Sequence, residues 1–113
     1  MQIVKYTAIR KVTPAPSATI WEYDTKDESI SGAVAQINGR YPEKGFAENG
    51  FTELAFVISG NGFVVTPEER KEIDAGDEVL IDQNEKYAWE ARSITLFMAT
   101  TPKFDPNKHI IKP

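Results

Sequence analysis

Thr52-Glu53-Leu54-Ala55-Phe56-Val57-Ile58-Ser59-Gly60-Asn61-Gly62-Phe63-Val64-Val65 is the stretch on which the fold turns. Leu54 to Ile58 is an unbroken apolar run rich in β-branched and aromatic residues, and it reads as a strand over Thr52–Ile58. A strand packed on one face alternates apolar with polar residues. Five apolar residues in succession therefore imply that both faces are covered, with a second copy of the chain as a natural candidate and loops or an N-terminal strand as alternatives. Ser59-Gly60-Asn61-Gly62 tolerates positive φ between two apolar runs, so Phe51 to Val65 is expected to form one hairpin.

Outward from this stretch the same pattern repeats. Proline and glycine punctuate the chain so often that few gaps could hold a long helix. Further strands are expected over Gln2–Ala8, Ala18–Tyr23, Ser29–Ile37, Phe63–Thr66, Arg70–Ile73, Glu78–Asp82, Tyr87–Ala91 and Ser93–Ala99. Asp74-Ala-Gly-Asp77 marks a turn between the polar strand before it and the apolar strand after it. Short strands at this spacing indicate an all-β sandwich or barrel.

The length of 113 residues suits one domain that can bury a core without disulfide or metal staples. It reads as a single unit, 1–113, with N-terminal strands in 1–28, a barrel core from 29 to 100 and a C-terminal tail over 101–113. Thirteen basic and 17 acidic side chains leave a formal charge of −4, which argues against nucleic acid or an anionic membrane as the main partner. The absence of cysteine removes thiolate catalysis and Cys-based zinc sites. The first residues lack the apolar run of a secretory signal, and no stretch reaches the roughly 20 apolar residues of a membrane span, so a cytoplasmic protein is expected. The one histidine, His109, reads as a partly exposed tail residue, and one imidazole cannot build a multi-histidine metal site.

Two segments carry a family resemblance. Glu53-Leu-Ala-Phe-Val-Ile-Ser-Gly60 resembles the end of the first cupin motif, and Gly76-Asp-Glu-Val-Leu-Ile-Asp82-Gln-Asn84-Glu-Lys-Tyr87 resembles the second. The wider pattern, through Ile30-Ser-Gly-Ala-Val34, Asn38-Gly-Arg-Tyr-Pro-Glu-Lys-Gly45 and Thr101-Pro-Lys-Phe-Asp-Pro-Asn-Lys-His109, is similar to short single-domain cupins. The resemblance implies a double-stranded β-helix, or jelly-roll barrel. Metal-binding cupins would carry His-x-His upstream of the glutamate and another histidine in the second motif. Here the first pair falls on Phe46 and Glu48 or on Ala47 and Asn49, and the later position on Tyr87. Only Glu53 remains as a ligand of the family type.

Three functional readings follow. In the first, Glu48, Glu53 and Tyr87 offer oxygen ligands that would suit magnesium, calcium or manganese, although no metal or other cofactor is the favoured expectation. In the second, Glu53 inside an apolar barrel has its pKa raised by desolvation and works with Tyr87 as an acid–base pair in an isomerase- or epimerase-type enzyme. In the third, favoured reading, the barrel binds a small polar or sugar-like molecule. Its lining would draw on Ala55, Val57, Val79, Ile81, Tyr87, Trp89 and Phe97, with Arg40, Tyr41 and Glu48 towards the mouth. The expected partners are thus a small molecule and a second copy of the chain.

Overall fold

A computed structural model describes residues 1–113, and its regular structure is all strand apart from two short 3-10 turns. In chain order these are β1 (Arg10–Ala15), β2 (Ala18–Tyr23), β3 (Ser31–Tyr41), β4 (Phe46–Asn49), β5 (Thr52–Val65), β6 (Arg70–Asp74), β7 (Glu78–Ile81), β8 (Ala88–Thr101) and β9 (His109–Lys112). All pair antiparallel. The main sheet runs β1-β2-β3-β8-β5-β6, with β7 beside the first part of β5, and β4 and β9 form a separate two-stranded sheet. Main-chain bonds between Ala47 and Tyr87 tie β4 to the residue just before β8.

The all-β expectation holds, but the central hairpin does not. β5 is one 14-residue strand that passes straight through Ser59–Gly62, with β8 along its length. On its other edge it pairs first with β7 at Glu53–Phe56, then with β6 at Asn61–Val65. The glycines serve this continuity. Gly60 takes φ +82°, and a Cβ there would lie 2.3 Å from the Ser93 carbonyl oxygen; a Cβ on Gly62 would lie 2.6 Å from that of Glu90. They mark a bulge and a close strand approach, not a reversal. The register slips between Val57 and Ser59, so Glu53, Ala55 and Val57 are buried before the bulge and Gly62 and Val64 after it. Likewise Tyr87–Ala91 and Ser93–Ala99 belong together, with all but Tyr87 in the single strand β8.

Three other expectations shift. The first strand lies at Arg10–Ala15, not Gln2–Ala8, where Tyr6–Ala8 form a 3-10 turn without buried residues. β3 extends to Tyr41, beyond the expected end at Ile37. The C-terminal segment is not a free tail, because β9 pairs Phe46–Asn49 with His109–Lys112.

The core is assembled from inward positions of several strands, among them Ile37, Val57, Ile81, Trp89, Ile94 and Leu96. Each large apolar side chain buried here contributes about 1.5–3 kcal/mol relative to exposure. The continuous run in β5 nevertheless alternates: Ala55 and Val57 are fully buried, while Leu54, Phe56 and Ile58 are exposed. Leu54 faces Leu80 on β7 and Phe56 faces Phe97 on β8, all four exposed on the outer surface. No helix is long and apolar enough to cross a membrane.

Candidate functional site

Strands β1, β2, β3, β5 and β8, with the segment that leads into β9, enclose a cavity of about 430 Å³. Its walls are apolar at Val12, Ile20, Ala33, Ala35, Ile37 and Met98. Polar groups come from Ser31, Tyr41, Glu53, Tyr87, Thr100 and His109. This volume falls within the range of about 300–1,000 Å³ typical of small-molecule sites.

Glu53 occupies an inward position of β5, between Ile81 on β7 and Thr100 on β8, and is 5% exposed. Its Oε2 is buried without a hydrogen-bond partner. Burial disfavours the charged form and pushes its pKa up to about 7. Its charge in turn helps to raise the pKa of both Tyr41 and Tyr87, after the larger effect of their own burial.

A hydrogen-bonded chain links three residues of the cavity wall, Tyr41, His109 and Tyr87, through Asn49. Tyr41 Oη lies 2.9 Å from His109 Nε2, His109 Nδ1 lies 2.6 Å from Asn49 Oδ1, and Asn49 Nδ2 donates to Tyr87 Oη over 3.0 Å. Asn49 is fully buried, and Tyr87 packs edge-on against Trp89 with ring centroids 5.9 Å apart. Burial lowers the His109 pKa below its ordinary value, which favours the neutral ring. Across the cavity, Ser31 Oγ accepts from the Phe104 amide at 2.9 Å and lies 2.9 Å from Thr100 Oγ1.

Cationic groups are confined to the rim and are already paired. Arg10 meets Glu22 at 2.8 Å. Lys103 Nζ lies 3.3 Å from Asp24 and donates to the Thr25 carbonyl at 2.9 Å. The only carboxylate in the deep part, Glu53, has no cation beside it.

Among the sequence candidates, Tyr41, Glu53, Tyr87 and Trp89 border the cavity. Arg40, Glu48 and Phe97 do not. The Arg40 guanidinium donates to the Pro42 carbonyl and lies over the Phe46 ring, because residue 40 points to the opposite face from Tyr41. Glu48 alternates outward between Ala47 and Asn49; its Oε2 lies 2.6 Å from Lys112 Nζ, an ion pair without hydrogen-bond alignment. Phe97, 43% exposed, stands on the outer surface of β8. Of the two alignments of the missing histidine pair, Ala47 and Asn49 are the inward-facing residues.

His109 is the main correction: the expected tail residue is part of the site. Asn49, Ser31 and Thr100 were also missed as site groups, although Asn49 stood in one alignment of the first motif. The donor set does not fit the divalent ion that the fold resemblance implies. No three His, Cys, Asp or Glu side chains come together, and Glu48 and Glu53 lie on different surfaces.

No protein-family model matches the chain, and no curated protein matches it in sequence. Solved structures match it in shape. A substituted Pac13 from Streptomyces with uridine superposes with a TM-score of 0.87 at 13% identity, covering 100% of this chain and 92% of that one. Pac13 is described as a nucleoside dehydratase. The polyketide cyclase RemF from Streptomyces resistomycificus gives 0.78 at 12% identity, covering 100% and 87%. A cupin-2 domain from Rhodospirillum rubrum gives 0.75 at 10% identity, covering 99% and 80%. The fold is therefore that of the cupins, as the two sequence motifs implied.

Proposed function

We propose that this cupin-fold barrel binds an uncharged, polar small molecule of sugar or nucleoside size and transfers protons on it without a metal ion. The observation that carries this reading is the Glu53 carboxyl, buried beside the cavity with Oε2 unpartnered. Such a group costs stability unless a ligand completes it, and its pKa of about 7 leaves both protonation states accessible near neutral pH. The cavity favours neutral guests because its cations are paired at the rim and Glu53 repels anions. Likeness in fold to a nucleoside dehydratase and a polyketide cyclase is consistent with a small-molecule guest.

The chemistry is proton abstraction beside a carbonyl. Glu53 takes a proton from carbon, the C–H electron pair moves towards the carbonyl oxygen, and the Tyr87 hydroxyl stabilises that oxygen. Return of a proton from Glu53 to the same carbon exchanges that C–H with solvent, and its return to the far carbon of a conjugated enolate shifts a double bond, an isomerisation that consumes no other reagent. A thermal-shift panel of sugars, nucleosides and small carboxylic acids tests binding, since a ligand of the native state raises the midpoint. Neutral members are expected to raise it and anionic members to leave it unchanged. Any compound that binds is then incubated with the protein in deuterated water, where wild type is expected to exchange its C–H and Glu53→Gln is not. Binding without exchange in wild type would reduce the protein to a binding module, and a panel without a shift would remove the ligand reading.

We further propose that a second copy covers Leu54, Phe56, Leu80 and Phe97. These residues form a contiguous apolar strip across three adjacent strands, and a two-fold axis lets one such strip bury its equal.

A further inference from the structure

We propose that Asn49 is a positioning residue: by accepting from His109 and donating to Tyr87, it leaves the Tyr87 hydroxyl proton free for the oxygen of the bound molecule. This inference rests on the reading of the cavity as a proton-transfer site and names which of its two tyrosines is the donor.

The direction of the chain follows from counting donors. Asn49 Oδ1 only accepts, so His109 carries its proton on Nδ1 across the 2.6 Å contact. In the neutral ring Nε2 is then an acceptor, and the Tyr41 hydroxyl spends its proton on it at 2.9 Å. At the other end Asn49 Nδ2 donates to Tyr87 Oη at 3.0 Å, which occupies a lone pair of that oxygen and leaves its proton unspent. Tyr41 is thus committed and Tyr87 is available. Reversing the Asn49 amide would reverse every role: His109 would carry its proton on Nε2, Tyr87 would donate to Asn49, and Tyr41 would hold the free proton. The tautomer of one imidazole therefore reports which tyrosine serves the guest.

The inference narrows the guest as well. It must present an acceptor, such as a carbonyl oxygen, to Tyr87 while its C–H faces Glu53. A purely donating group at that position would leave the Tyr87 proton without a partner.

His109 is the only histidine, so long-range proton–nitrogen NMR of ¹⁵N-labelled protein gives one unambiguous imidazole pattern. The expected result at pH 7.5, before any ligand is known, is a protonated Nδ1 and a bare Nε2. A protonated Nε2 with a bare Nδ1 would overturn the proposal whatever the protein catalyses. For a compound that exchanges deuterium, Asn49→Asp keeps an acceptor for His109 but loses the donor to Tyr87. It is expected to retain the Nδ1–H tautomer and to lower kcat about 10²-fold with KM little changed, as Tyr87→Phe does. Tyr41→Phe, which removes only the committed hydroxyl, is expected to cost far less. An Asn49→Asp protein with the wild-type tautomer and wild-type kcat would refute the positioning role and leave the proton-transfer reading intact. Full exchange by Glu53→Gln would instead refute that reading while leaving the tautomer result to stand.

Discussion

His109 Nδ1 lies 2.6 Å from Asn49 Oδ1 although 60 residues separate them, a contact made possible by the pairing of β9 with β4. Because burial lowers the folded pKa, the neutral imidazole contributes stability above its unfolded value near 6.5, and that contribution is lost as pH falls through the folded value. An NMR titration of the single histidine is expected to give a midpoint below 6.5; a midpoint above it would mean that the ring is solvated.

Glu53 has the opposite sign. Its folded pKa of about 7 lies above the unfolded value of 4.5, so its protonated form stabilises the fold fully below 4.5, and this is lost as pH rises through 7. A shift of this size corresponds to about 3 kcal/mol. Glu53→Gln is expected to be more stable than wild type at pH 8 by a margin of that order, and to lose most of this advantage at pH 4.5. Urea unfolding of both proteins at the two pH values measures it, and parallel pH profiles would show that Glu53 is hydrated.

The outer strip predicts a dimer that is independent of the cavity. Light scattering at micromolar concentration is expected to give twice the chain mass for wild type and one chain mass for Phe56→Glu, with ligand-induced thermal shifts retained. Phe56 is exposed and opposite Phe97, so the charge costs little within one chain. A monomeric wild type would refute the dimer.

Metal content gives a further check. Because the cavity does not gather three metal-ligating side chains, purified protein is expected to hold no stoichiometric divalent ion, and a chelator is expected to leave the unfolding midpoint unchanged. A midpoint that falls with chelator and recovers with one ion would overturn the metal-free mechanism.

Much of this architecture was legible in the sequence because β-strands write their burial every second residue. Glu53 and Trp89 fell within expected strands and border the cavity, whereas Tyr41 lay beyond the expected end of β3 and Tyr87 just before β8. Arg40 and Phe97 were one residue out of phase with the interior, an error that a period of two turns into the wrong face. The glycine at 60 signalled positive φ correctly, whereas the close approach at Gly62 was not read. Whether such residues bend a strand or bulge it depends on whether β8 continues alongside, which local chemistry does not encode. His109 was illegible for a related reason: its place depends on pairing with β4, and nothing in Lys108-His109-Ile110-Ile111 specifies that partner.

The bulge between Val57 and Ser59 works on β5 as a frameshift works on a message. Upstream of it odd-numbered residues are read as interior, and from Gly62 onward even-numbered ones are. Losing a single residue there would turn either Glu53 or Val64 out to solvent, so descendants of this barrel can acquire new guests by exchanging letters at the cavity but tolerate no change in word length at Ile58.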